Sequence, residues 1–141
     1  MIELVYQTLE KIGFSHPLHP AMTHIPMGMI IGGFLFAVAS VVMKKDDLAI
    51  AAHYCYTLAL IFVLPTLMLG YMDWQYKFDG EWNGLILTKI ILAVMLTIML
   101  GITFFYGKNK QVDIKQKLIL YVICFAIALG IGFIGGELQY G

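Results

Sequence analysis

Three of the four histidines, His16, His19 and His24, fall within nine positions, in the run His16-Pro17-Leu18-His19-Pro20-Ala21-Met22-Thr23-His24-Ile25-Pro26. Imidazole is the commonest protein ligand for a transition metal. Three imidazoles at the mouth of an apolar stretch point to a haem or metal site. His24 is the principal candidate ligand, with His16 or His19 second. Pro17 and Pro20 keep the chain extended until a helix can begin, and Pro20 suits a first helical position. His19 is then expected at or beside the cap, and His24 about one turn in. The plainer alternative makes His16 and His19 solvated interface residues and bonds His24 to a neighbouring carbonyl.

Two acidic residues belong with this cluster. Asp73 follows an apolar run in Gly70-Tyr71-Met72-Asp73-Trp74, and Glu137 closes another in Gly135-Gly136-Glu137-Leu138. Both are expected at the membrane interface, where a carboxylate reaches water. They would ligate, orient a ligating histidine or carry protons, or else simply mark the boundary. Gly28 and Gly32 follow His24 at i+4 and i+8 on one helical face, and Gly132 and Gly136 repeat that spacing near the end of the chain. Small residues let membrane helices approach closely, so these faces either pack together or leave a slot for a flat cofactor. Packing is the commoner meaning.

A second constellation combines His53, Cys55 and Cys124. A mixed nitrogen and sulfur site favours zinc or copper, although cysteine within a membrane helix is ordinarily an apolar filler. The nine methionines show no repeated spacing and read as packing residues rather than a copper site. No nucleotide loop, nucleophile motif or CxxCH haem attachment is present, and the sequence makes no case for or against an enzyme.

The elements that must position these residues are membrane spans. Hydrophobic residues make up 60% of the 141 and charged residues 13%, about half the charge of a soluble domain. Four apolar runs, about 20–43, 48–72, 85–106 and 118–138, match the ~20 residues that cross a bilayer core. Backbone polar groups in lipid must be satisfied within helices. The fold class is therefore all-α, a single integral-membrane antiparallel four-helix bundle over 1–141. Ahead of it, Ile2, Val5, Tyr6, Leu9 and Ile12 recur at helical spacing. They predict an amphipathic interfacial helix over 1–14, ended by Gly13. Pro65 is expected to kink the second span.

Lysine placement orients the bundle. Lys44, Lys45, Lys108, Lys110, Lys115 and Lys117 fall in the first and third loops, which the positive-inside rule puts in the cytoplasm. Both termini and the loop 73–84 then face outward, with Trp74, Tyr76, Trp82 and Tyr140 as an aromatic belt. The expected location is the bacterial cytoplasmic (inner) membrane, with both termini periplasmic. No secretory signal pattern is visible, so the mature chain is expected to begin at Met1. Net charge is zero and arginine is absent. Nucleic acid is not an expected partner, and anionic substrates are disfavoured.

The residues His16-Pro17, His24-Ile25-Pro26, Gly70 to Asp73, and Gly135-Gly136-Glu137-Leu138-Gln139-Tyr140 resemble the motifs of a family of small bacterial membrane proteins of unknown function. Its members are four-span bundles with an HP…HxP opening, GxxD after the second span and a GGxLxY ending. Some relatives carry a Rieske iron–sulfur domain, which implies by analogy a role near electron transfer. Many also carry a histidine after the final tyrosine and another before the third span. Here the chain has Gly141 and Asn83 at those places, so such a site would be incomplete here or finished by another subunit.

These observations lead to a membrane redox or electron-transfer protein that binds haem b, or a transition metal (iron, copper or zinc), through outer-side histidines. Haem shared between two His24 residues of a homodimer is one route. The alternatives are a non-catalytic accessory subunit of a larger respiratory-type membrane complex, and metal binding or transport without redox chemistry.

Overall fold

Five helices account for nearly all of the described residues, 2–13, 18–77, 79–109 and 112–140, in a computed structural model. They are α1 (Ile2–Lys11), α2 (Leu18–Met43), α3 (Asp46–Lys77), α4 (Gly84–Lys108) and α5 (Ile114–Tyr140). The last four are each long and apolar enough to cross a bilayer. They run antiparallel, each packed on its sequence neighbour, and α5 returns to α2 to close a ring. One end of the ring holds α1 and the start of α2, and is called here the histidine end. The other holds the α2–α3 and α4–α5 turns and is called the lysine end.

The buried centre is built from small residues and stacked rings. Ala37, Ala52, Ala59 and Ala128 are buried, which lets the backbones approach as membrane helices require. The Tyr56 and Tyr121 rings stack at 4.3 Å, and the Tyr56 hydroxyl donates to the Tyr121 carbonyl at 2.9 Å. Gly33 makes room for this pair, since a Cβ there would sit 2.7 Å from the Tyr56 ring. Outward-facing Ile31, Leu35, Ile61, Leu64, Met68, Ile98, Phe105 and Phe133 are exposed. So much apolar surface is tolerable only where the solvent is lipid.

Several boundaries differ from the hydropathy reading. α3 runs 46–77 rather than 48–72 and α5 begins at 114 rather than 118. The polar residues there stay helical because they have partners. Lys117 Nζ donates to the Gly107 carbonyl at 3.1 Å, and Asp73 and Tyr76 make the contacts described below. At about 48 Å, α3 exceeds the ~30 Å hydrocarbon core, and α1 packs against it. α1 ends at Lys11, two residues before the expected Gly13; Gly13 closes the turn that follows, with φ +85° and its N–H on the Glu10 carbonyl at 3.0 Å. Helices α2 and α3 continue through Pro26 and Pro65.

Candidate functional site

The histidine end is organised by the Asp73 carboxylate. Asp73 was expected at the interface in reach of water; it is instead only 4% exposed. Its Oδ1 accepts the Leu18 N–H at 3.2 Å and its Oδ2 the His19 N–H at 2.8 Å. Leu18 opens α2, so the third helical residue is Pro20, which has no N–H to satisfy. The end of α3 therefore caps the start of α2 from another helix. A carboxylate at a helix N-terminus is favoured by the exposed amides and the macrodipole.

The Tyr6 hydroxyl of α1 donates to Asp73 Oδ1. The Tyr6 ring stacks on Tyr76 at 4.2 Å, nearly parallel. Burial, reinforced by the bonded Asp73 carboxylate and the nearby Tyr76, pushes the Tyr6 phenol well above the usual tyrosine range. One carboxylate thus joins α1, α2 and α3.

His19 is fixed by the same surface of α3. Its Nδ1 lies 2.9 Å from the Thr66 carbonyl oxygen. The carbonyl only accepts, so Nδ1 carries the proton and Nε2 keeps its lone pair. Among the described residues Nε2 has no hydrogen-bond partner. The ring rests on Gly70, where a Cβ would stand 2.9 Å from Nδ1. Gly70 and Asp73, three residues apart on α3, thus receive the imidazole and the backbone of His19. Lys89, on the first turns of α4, lies within electrostatic range of both Asp73 and His19.

The remaining candidates are spread more widely. His24 is exposed. It lies five residues from His19, about 140° around α2 and about 7.5 Å along it, so the two rings face different surroundings. His16 lies outside the described residues. Glu137 is exposed near the end of α5, whereas Asp73 is buried. Gly28, Gly32 and Gly136 have open space where a Cβ would be, while Gly132 faces Met27. The two glycine faces therefore do not pack on each other.

His53, Cys55 and Cys124 do not form a common site either. Cys124 is buried 3.6 Å from the Thr103 hydroxyl, Cys55 packs near Gly33, and His53 stacks on Phe104. Among the described residues no group of three or more histidines, cysteines or carboxylates could hold a metal ion. A shallow apolar depression of about 350 Å³, lined by Leu67, Met68, Tyr71 and Met72, lies on a different face of α3 from Gly70.

Tyr6, Thr66 and Lys89 were not singled out by their residue types. Gly70 carried the one available signal, its place in the Gly70-x-x-Asp73 motif. Asn83 caps α4 by accepting the Leu85 N–H on its side chain at 2.6 Å. Searches of the curated proteins and of the solved structures returned no match. Residues 15–141, which include every helix of the ring and its Asp73-bound entrance, match the family described as Predicted membrane protein (DUF2231), and the chain belongs to that family.

Proposed function

We propose that the protein is a membrane redox protein that binds haem b at its histidine end, with His19 as an axial ligand. The observation that carries this reading is the His19 Nδ1 contact with the Thr66 carbonyl. A ligating histidine characteristically donates its other ring N–H to a carbonyl or carboxylate, which fixes the ring and raises its basicity. Haem needs one or two axial groups rather than a cage, which suits a site without a cluster of three ligands better than zinc or copper would. Haem, when bound, supplies a one-electron couple. The chain's own part is positional: Asp73 holds the His19 backbone, Gly70 seats the ring, and Thr66 sets the tautomer. A second ligand would have to come from outside the residues that hold His19, for example from a second protomer.

Lysine placement further supports a bacterial cytoplasmic membrane location with the histidine end outward and the lysine end in the cytoplasm. Absorption spectra of the purified protein, oxidised and dithionite-reduced, with elemental analysis, test the proposal. A Soret band that His19→Ala abolishes is expected. Absence of both a Soret band and stoichiometric metal would sink it.

The open face of α2 favours a second reading. Gly28 has no neighbour within 4 Å of its Cβ position, and Ile31 and Leu35 beside it are exposed. Such a face suits an accessory subunit packed against a larger membrane complex, or a homodimer. Crosslinking from cysteines placed at Gly28 and Ile31 in native membranes distinguishes the two by the mass of the product.

A further inference from the structure

The lysine end carries its own set of basic side chains, two lysines acting electrostatically on one histidine. His53, two turns into α3, packs against the last turn of α4, where a Cβ on Gly107 would collide with its Nδ1. That Nδ1 is buried without a hydrogen-bond partner. A buried acceptor left unpaired is better tolerated than a buried N–H, so the proton belongs on Nε2. Nε2 is not buried in this way and makes no hydrogen bond among the described residues.

Two lysines flank the ring. Lys108 Nζ lies 4.4 Å from the centroid of Phe104, the ring on which His53 stacks. Lys117 Nζ reaches across from α5 to the Gly107 carbonyl at 3.1 Å. The charges acting on His53 are those of Lys117 and Lys108, with no carboxylate among them. Neither lysine is ion-paired among the described residues. Asp113 begins the turn into α5 and is exposed, while Asp46 and Asp47 sit about two turns away at the start of α3.

We propose that His53, Lys108 and Lys117 bind the phosphate of an anionic phospholipid between α3, α4 and α5. Three donors with no counter-charge call for a multivalent oxyanion. Their position selects its source, because Tyr54, Phe105 and Tyr106, beside them on α3 and α4, are 63%, 72% and 54% exposed. A headgroup phosphate held by the three donors would lay its acyl chains along this apolar surface. Basic pockets between spans are established receptors for anionic headgroups.

The test is a titration of purified protein in neutral detergent with dioleoylphosphatidylglycerol, dioleoylphosphatidylcholine or inorganic phosphate. Bound lipid is counted by native mass spectrometry. One phosphatidylglycerol is expected to bind in preference to phosphatidylcholine. Lys108→Gln with Lys117→Gln should weaken it about 25-fold, about fivefold for each lysine removed, while Lys44→Gln with Lys45→Gln leaves it unchanged. His53→Gln, which tests the same site without removing charge, should weaken it by a smaller factor. Equal loss in the Lys44 and Lys45 variant, equal binding of the two lipids, or full binding by His53→Gln would overturn the proposal. So would displacement of the lipid by millimolar phosphate, which would make the site one for free anions.

Discussion

Asp73 accepts the backbone N–H of His19 at 2.8 Å, so the start of one membrane span is terminated by a side chain from the end of the next. The same carboxylate holds Leu18 N–H and the Tyr6 hydroxyl. Removing it takes the shared acceptor away from three donors at a nearly water-free position. With about 1–3 kcal/mol for each buried unsatisfied group and about 1 for a lost cap, partly relieved by water entry, Asp73→Ala should cost about 3 kcal/mol. Asp73→Asn keeps one acceptor oxygen and should cost about half of that. Reversible unfolding in mixed micelles measures both, and an Asp73→Ala protein as stable as the wild type would refute the capping role.

Gly70 and His19 should be energetically coupled. A methyl at Gly70 would stand 2.9 Å from His19 Nδ1 and would displace the ring from the Thr66 carbonyl. Gly70→Ala is expected to cost about 1–3 kcal/mol. In a His19→Ala background the ring is gone and the methyl fits, so the two losses should fall short of additivity by about 1 kcal/mol or more. Strict additivity in this double-mutant cycle would mean that the glycine serves something other than the imidazole.

The Tyr6 phenol gives the assembly an alkaline limit. Its acidity is weakened in the folded state by burial and by Asp73, so the unfolded chain loses this proton first, near pH 10. Below that pH the contribution of Tyr6 is fully present. Above it the unfolded state is increasingly favoured, and stability falls as pH rises toward the folded-state value. Tyr6→Phe should be less stable than wild type at neutral pH, by about 1–2 kcal/mol for a hydrogen bond to a carboxylate. The gap should narrow above pH 10. Denaturation at a series of pH values would reveal this, and a constant gap would show that Tyr6 does not titrate with folding.

His19 and His24 should separate cleanly in spectra. The two rings face different surroundings, and only His19 has its Nδ1 held by a carbonyl. His24→Ala is therefore expected to keep any haem absorption that His19→Ala loses. The reverse pattern would move the ligand role to His24 and to the open face it shares with Gly28.

Hydropathy alone locates the four spans, because lipid imposes a length and a composition on every one of them. It misses the ends of α3 and α5, where polar residues remain helical through contacts made by distant partners. Tyr76 stays in α3 while stacked on Tyr6, and nothing in the local pattern around either residue announces that pair. The run of histidines is visible by residue type, and the helix order alone puts the start of α2 at the end opposite the lysine-rich turns. The division of labour within the run is not visible. Asp73 had the character of a boundary carboxylate, and only the approach of α2 to α3 turns it into a cap. Likewise, His19 and His24 look equivalent in a string of letters, but a five-residue spacing sends them to different faces.

The inter-helix cap also has a consequence for the order of synthesis. Leu18 and His19 emerge from the ribosome well before their acceptor, which lies 54 residues after His19. Until α3 has been made and inserted, the first turn of α2 must keep its bare amides in the headgroup water. The entrance to the first span is thus sealed only after the second has been delivered, and a chain stalled between the two carries a hydrated, unfinished helix start.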